Sequence, residues 1–253
     1  MVDREFTPTE FMAQLLSRYP EYEIDKVLAN AKSNALRERE RAEEAPDRKD
    51  ALEMLRDFGC DNAVLSSLGR QSDGAHSYYS RLTMHSNSRT LLKLPVIPRG
   101  LYGLYGLVSF VRNNGRNGRL DLNVDPNSIT DSESVPKLPY YCLDVDLGEE
   151  TQGMNPTKAL AHIQKRSRLP LTVDELLALC THSNVLLKRP VCALGSNVSG
   201  QIIPCMIIHA NEIELILIDK EYIEGGCGLP IGMPSCAQRY HDPSQGWLVY
   251  NNR

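Results

Sequence analysis

The stretch YYCLDVD, residues 140–146, decides the fold of this 253-residue chain. Apolar and polar side chains alternate along it, which is the period of a β-strand. One face of the predicted strand carries Tyr141, Leu143 and Val145, and the other carries Tyr140, Cys142, Asp144 and Asp146. The segment is therefore predicted to be a strand of a sheet.

A second stretch, LTVDELL at residues 171–177, predicts a helix. Thr172 and Glu175 have the spacing of a capping box, in which each residue satisfies an amide of the first helical turn. Leu171 and Leu176 occupy the two positions of a hydrophobic staple. The helix is expected to continue to about Thr181.

Downstream segments complete an α+β pattern. Asn155 and Pro156 are typical of a helix start. Strands are predicted over residues 191–194, 201–209 and 214–219, and the short turns between them favour antiparallel pairing. The predicted fold class is α+β, a helical N-terminal region followed by a mainly antiparallel sheet packed with two or more helices.

The upstream half gives the domain prediction. Residues 1–60 carry helical patterns, and 61–90 are rich in Ser, Asn, Gly and His, which is typical of loops. Residues 107–111 and 120–124 are predicted as strands. The expected division is a helical N-terminal extension over 1–60, a loop or linker over 61–90, and an α+β domain over 91–253 that is best defined over 139–239.

Composition limits the function classes. Hydrophobic residues make up 42% and charged residues 24%, so a packed core is expected. A net charge of -4 argues against nucleic-acid binding, which usually requires an excess of basic residues. The most apolar stretch, residues 202–218, is interrupted by polar side chains and is too short for a membrane span of roughly 20 apolar residues.

Seven cysteines and the N-terminal residues give the predicted compartment. The cysteine count is odd and includes no C-x-x-C pair, so we expect seven reduced thiols. Residues 1–5 lack the apolar run of a signal peptide. A cytoplasmic location is predicted.

One series of residues resembles a known family. In chain order it is Tyr140, Asp144, Val145, Asp146, Gly148, Glu150, residues 168–172, Glu175, His182, Cys192, residues 194–196, Pro204, Ser235, Cys236, Ala237 and Arg239. This order is similar to an uncharacterised bacterial domain-of-unknown-function family that ends in a Ser-Cys-Ala segment. The resemblance covers about residues 139–239 and implies domain boundaries but no activity.

Asp144 and Asp146 are candidate ligand-binding or metal-binding residues. Two positions along a strand place their carboxylates on one face, roughly 7 Å apart. Such a pair suits a divalent cation or a division of acid and base roles. The alternative is a solvent-facing strand end whose aspartates cap the turn at Gly148.

Cys236 and His182 are the candidate catalytic pair. A cysteine becomes a nucleophile when a base lowers the pKa of its thiol. Cys236 follows a loop rich in Gly and Pro, and His182 follows a helix end. The alternative is a buried structural thiol and a histidine that favours the helix dipole.

Arginines supply the remaining candidates. Arg168 and Arg239 could line a ligand pocket, and Arg168 could instead pair with Asp144 or Asp146. The segment 112–119 carries three arginines that could bind phosphate, but its Asn-Gly pairs are also typical of a hairpin loop.

The function expected from the sequence is a non-catalytic intracellular module that binds a ligand or a partner. A protein partner is expected at the N-terminal helices. The alternative is a hydrolase or acyl transferase with a Cys236/His182 site or a metal site at Asp144/Asp146. The sequence identifies neither a cofactor nor an oligomeric state.

Overall fold

The computed structural model describes residues 51–81, 90–113, 116–132, 134–209, 212–224 and 230–242. All of them belong to one unit, Asp47–Arg253. The helices predicted before residue 51, and the partner surface expected there, lie outside the described residues.

Helices and strands alternate irregularly along these residues. The helices are α1 (Ala51–Asp57), α2 (Asn62–Arg81), α3 (Arg99–Phe110), α4 (Pro156–Lys165), α5 (Val173–His182), α6 (Val185–Lys188) and α7 (Lys220–Glu224). The strands before α5 are β1 (Thr90–Val96), β2 (Arg112–Asn113), β3 (Arg116–Asn117), β4 (Arg119–Leu120), β5 (Thr130–Asp131), β6 (Tyr140–Asp146) and β7 (Leu169–Pro170). The later strands are β8 (Val191–Cys192), β9 (Ser196–Asn197), β10 (Ile202–His209), β11 (Glu212–Asp219) and β12 (Ser235–Tyr240).

The strands form two four-stranded sheets and two short ribbons. The first sheet has the order β1-β6-β12-β7 and is antiparallel throughout. The second has the order β4-β11-β10-β8, in which only the β4–β11 pair is parallel. The ribbons are β2-β3 and β5-β9. The α+β class with mainly antiparallel pairing is confirmed.

Strand β6 is buried along its whole length because helices cover both faces of the first sheet. The Tyr141 hydroxyl donates to the Leu68 carbonyl of α2 at 3.1 Å. The neighbouring Tyr140 hydroxyl donates to Glu175 of α5 at 2.9 Å on the other face. The predicted alternation is thus present, but neither face is open to water.

Apolar side chains pack in two clusters. The larger cluster joins the first sheet to α1, α2, α3 and α5, and extends to part of the second sheet. The smaller cluster lies between α4, α7 and the strands β8, β10 and β11. Both predicted helix starts are confirmed, because Asn155 Oδ1 accepts from the Lys158 amide at 2.8 Å and Glu175 Oε2 accepts from the Thr172 amide at 2.7 Å.

Helix α2 contradicts the loop predicted over 61–90 at residues 62–81, and residues 82–89 of that prediction lie outside the described residues. Asp61 begins the helix by accepting from the Ala63 amide at 2.7 Å. The glycines and serines of α2 lower its intrinsic helix propensity. A buried face that packs on β6 and β1 overrides that propensity. The residues of this face are Val64, Leu65, Leu68, Gln71 and Ala75.

Helix α3 contradicts the strand predicted over 107–111. The segment is a short apolar run, and such runs do not distinguish a buried helix from a buried strand. Leu104, Leu107 and Val108 are buried at helical spacing. Gly103, with φ 68°, bends the helix near its start.

A disulfide contradicts the prediction that all seven cysteines are thiols. Cys192 and Cys205 are joined, and they are direct partners in the β8–β10 register with a Cα–Cα distance of 4.1 Å. Among the described residues, the four thiols at Cys60, Cys142, Cys180 and Cys236 form no disulfide and are buried. The sequence spacing of 13 gave no signal for the pair, because only strand pairing brings the two residues together.

None of the helices in the described part of the chain combines the length and apolar character that crossing a membrane requires.

Candidate functional site

Glu175 is the centre of a buried polar cluster at the start of α5. Its Oε1 accepts from the Tyr140 hydroxyl at 2.9 Å, the Cys142 thiol at 3.1 Å and Arg239 Nε at 2.6 Å. Its Oε2 accepts from the Thr172 amide at 2.7 Å and Arg239 Nη2 at 2.9 Å. We call these five residues the Glu175 cluster. They join α5 to β6 and β12.

Charge compensation keeps this carboxylate ionised although its side chain is 0% exposed. Burial alone would raise the pKa of the Glu175 carboxyl. The hydrogen bonds and positive charge of Arg239 outweigh burial and hold that pKa below its ordinary value. An ionised carboxylate with every lone pair engaged is poorly suited to act as a general base.

Burial has the opposite effect on the neutral donors of the cluster. It raises the pKa of the Tyr140 hydroxyl well above its ordinary value, and the adjacent Glu175 charge adds to the effect. It likewise raises the pKa of the Cys142 thiol, with a further contribution from its contact with Cys236. Both groups are therefore protonated donors at neutral pH.

Cys236, the candidate nucleophile, lies against this cluster and is 0% exposed. Cys236 and Arg239 are three residues apart on β12, a spacing that directs side chains to opposite faces of a regular strand. Both nevertheless reach Glu175. Between Cys236 and Arg239, Ala237 of β12 lies opposite Asp144 of β6, but these two residues do not pair in the β6–β12 register. This local break in the pleat brings both side chains to the α5 face.

Asp144 forms a second buried cluster, with Arg168 and Ser235. Arg168 Nη1 donates to Asp144 Oδ2 at 2.7 Å, and Arg168 Nε donates to Ser235 Oγ at 2.9 Å. Asp144 is 6% exposed and has a left-handed φ of 50°. The pairing of Arg168 with Asp144, an alternative that the sequence left open, is present. We call these three residues the Asp144 cluster.

Asp146 has a separate role. Its Oδ1 accepts from the Gly148 amide at 2.7 Å, so it caps the turn that follows β6. Within the described residues, the metal-ligating side chains that converge are Cys142, Glu175 and Cys236, rather than Asp144 and Asp146. The metal site expected at the two aspartates stays a prediction without a third ligand group.

His182 lies at the opposite end of α5 from the Glu175 cluster. It follows Glu175 by seven residues, which is about 10 Å along a helix axis. The structure therefore groups Cys236 with Cys142 and Glu175, and groups His182 with a different set of residues. A role for Cys236 and His182 as a catalytic pair stays a prediction.

His182 lines a small cleft between α1, β1, α3 and α5, which we call the α5 cleft. Its enclosed volume is about 20 Å³, and it is partly open to solvent. Its polar groups are Asp174, Thr181 and His182. Its apolar walls are Leu55, Pro95, Ile97, Leu107, Phe110, Leu177 and Ala178.

Asp174 is the buried charge of this cleft. Its Oδ2 accepts from the Arg99 amide at 2.9 Å, and its Oδ1 accepts from Arg99 Nη1 at 3.2 Å. Asp131 shares the same guanidinium at 2.9 Å. Burial raises the pKa of the Asp174 carboxyl to about 6, although Arg99 opposes this shift.

The arginines of segment 112–119 are engaged within the protein. Arg119 pairs with Glu212 and Glu214, and Arg116 lies 4.0 Å from Glu212. The Arg112 guanidinium lies 4.0 Å from the ring centroid of Phe58. These contacts reduce the positive potential that a phosphate would meet.

Sequence reasoning singled out Arg239 and Cys236 as site candidates but not Cys142 or Asp174. The sequence nevertheless contains a signal for Cys142 and one for Asp174. Cys142 shares a strand face with Asp144 in the alternating stretch, and Asp174 lies in the first turn of a helix with a strong start signal. The sequence identifies Glu175 as the end of a capping box and as a member of the family-like series, but its long-range partners are not visible in the local pattern.

Comparison with known proteins gives a family without an assigned activity. No curated protein and no solved structure matches the chain. A family model described as a family of unknown function, DUF5701, matches residues 64–201, more than half of the chain. The expected membership in an uncharacterised domain family is confirmed, and the match begins within α2 and ends before β10. The chain therefore belongs to the DUF5701 family of unknown function.

Proposed function

We propose that this chain is a non-catalytic module that binds a small ligand in the α5 cleft. The observation that carries the proposal is the lining of the cleft, in which apolar walls surround three polar side chains. Ligand sites in proteins combine these two features, the apolar walls for affinity and the few polar groups for orientation.

The chemistry of the cleft suggests the ligand class. A carboxylate accepts about four hydrogen bonds, so Asp174 retains acceptor capacity beside its two bonds from Arg99. The Thr181 hydroxyl donates to the Leu177 carbonyl at 2.8 Å and keeps its own acceptor capacity. A hydrogen-bond donor of only a few heavy atoms, such as methylamine or formamide, matches these acceptors and the enclosed volume of about 20 Å³.

Two buried clusters support a binding role rather than catalysis. The polar residues that the family-like series emphasised, Asp144, Arg168, Glu175 and Arg239, bind each other in the interior. The Glu175–Arg239 contact fixes α5 against the first sheet. A rigid helix keeps the cleft in a preformed shape, which lowers the entropic cost of binding.

A fragment screen by ligand-observed NMR tests the proposal, with small amines and amides as probes. We expect binding that the Ala178→Phe variant abolishes, because the new ring would fill the cleft. Ala161→Phe is the matched control, since Ala161 is an exposed alanine on α4. Binding that survives equally in both variants, or a screen without binders, would contradict the proposal.

We also propose a cytoplasmic location. Four buried thiols, at Cys60, Cys142, Cys180 and Cys236, are unpaired in the structure, and oxidising compartments favour paired cysteines. The Cys192–Cys205 disulfide is the feature that opposes this proposal. Cell fractionation with a tagged chain measures the location, and recovery in a secreted or membrane fraction would overturn it.

A further inference from the structure

Three metal-ligating groups converge beside the Glu175 carboxylate. The Sγ atoms of Cys142 and Cys236 and a carboxylate oxygen of Glu175 all lie within 4.8 Å of one another. All three residues are 0% exposed. We propose that Cys142, Glu175 and Cys236 bind a thiophilic divalent metal ion, with the ligand chemistry of zinc, that links β6, β12 and α5. This site is separate from the α5 cleft and does not depend on the ligand proposed there.

The distances suit such an ion with small adjustments. Zinc binds thiolates at about 2.3 Å and carboxylates at about 2.0–2.2 Å, so sulfur and oxygen on a tetrahedral ion are roughly 3.5 Å apart. Cys142 Sγ and Glu175 Oε1 are 3.1 Å apart. The Tyr140 hydroxyl is 2.9 Å from the same oxygen.

The charge balance of the buried cluster does not change when the ion binds. Without metal, the negative charge of Glu175 and the positive charge of Arg239 cancel. A divalent ion forms two metal–sulfur bonds, and the two thiol protons pass to solvent. The two new negative charges on sulfur offset the two positive charges of the ion, so no uncompensated charge is buried.

The hydrogen bonds of Glu175 also permit this exchange. Five donors surround a carboxylate that offers about four lone-pair sites. The Cys142 thiol is the weakest of these donors. Once its proton leaves, four donors would still occupy the four sites, so we expect the Tyr140 hydroxyl to turn from Oε1 toward the ion. Arg239 and the Thr172 amide then continue to hold the carboxylate, and the ion takes the remaining site.

A competing explanation treats the two thiols as small buried side chains that need no metal. Complete burial does not decide between the two, because structural metals bind as the chain folds rather than through an entry path. The two explanations differ in metal content and in the effect of a chelator.

Metal content and refolding test the proposal on the full chain. Protein purified without added metal is analysed by elemental mass spectrometry. It is then unfolded in chelator and refolded with Zn²⁺, with Cd²⁺ or with chelator alone. We expect about one ion per chain, a sulfur-to-cadmium charge-transfer band, and a lower Tm after refolding in chelator.

Cys142→Ser and Cys236→Ser should lower the bound metal about tenfold or more, whereas Cys180→Ser should leave it unchanged. Cys180 is the matched control because it is a buried thiol on α5 outside the cluster. If either serine variant fails to fold, the refolding of the unaltered chain still distinguishes a metal site from two structural thiols. The same Tm with Zn²⁺ and with chelator, or metal retained in both serine variants, would overturn the proposal.

Discussion

Asp144 and Glu175 each place a carboxylate in the protein interior, and an arginine binds each of them. Burying a charge is unfavourable unless a partner and hydrogen bonds replace water. Arg168 supplies both for Asp144, and Arg239 supplies both for Glu175. At the scale of the residue, the structure thus shows contacts that these polar residues make with each other, and the expected contact of Asp144, Arg168 and Arg239 with a ligand stays a prediction.

Replacing Arg168 with Met should destabilise the protein by about 3 kcal/mol or more, because Asp144 would remain buried without its partner. Arg166→Met is the matched control. The Arg166 side chain is 37% exposed where it pairs with Glu150, and such pairs contribute about 1 kcal/mol or less. Urea unfolding measures both values. Equal losses of unfolding free energy in the two variants would show that the burial of Asp144 does not increase the cost of removing its arginine partner.

Gly148→Ala should also be strongly destabilising. Gly148 has φ 79°, and a Cβ there would lie 2.7 Å from the Met233 amide nitrogen. Gly153 has a similar φ of 76° but open space around it, so Gly153→Ala isolates the cost of the backbone conformation. In urea unfolding, we expect a loss of stability of about 1 kcal/mol for Gly153→Ala and of roughly 2–4 kcal/mol for Gly148→Ala. A smaller loss at Gly148 than at Gly153 would contradict the close approach of the two segments.

The helices and strands differ in how well their own sequences predicted them. The start of α5 and the extent of β6 were predictable because local patterns, a capping box and an alternation, determine them. Helix α2 was not predictable from such patterns, because its stability comes from packing on β6 and β1 rather than from propensity. The β8–β10 disulfide was also not predictable from local patterns, since it depends on strand register.

Gly69→Ala tests whether α2 is a helix in solution. Gly69 lies in the middle of α2, and the nearest atom to an added Cβ is 4.0 Å away. Alanine is favoured over glycine within a helix, so we expect the variant to be more stable by about 0.5–1 kcal/mol in thermal or urea unfolding. An unchanged or lower stability would support the loop that the sequence suggested.

Peptide mapping tests the disulfide between β8 and β10. Cys192 and Cys205 lie in one tryptic peptide, because cleavage is expected after Lys188 and Lys220 but not before Pro190. Before reduction this peptide should be lighter by two hydrogen atoms and should take up no alkylating reagent. Full alkylation of both residues in unreduced protein would show that they are thiols.

For the molecule as a whole, the sequence predicted the α+β class and the mainly antiparallel pairing, but not the strand order or the site. Tyr140 and Arg239 are 35 and 64 residues from Glu175, so no local pattern could show that they meet. The family-like series contained all three residues, yet their order along the chain did not distinguish a ligand pocket from a buried cluster. Only the pairing of β6 with β12 and the docking of α5 bring them together.

The central claim is that the Glu175–Arg239 pair is a buried structural contact that joins α5 to the first sheet. A double-mutant cycle with Glu175→Gln, Arg239→Met and the double variant measures it in urea unfolding. Each single variant should lose about 3–5 kcal/mol, and the double variant should lose less than the sum by about 2 kcal/mol or more. Losses that add to within about 0.5 kcal/mol would contradict the claim, because they would show that the two residues act independently.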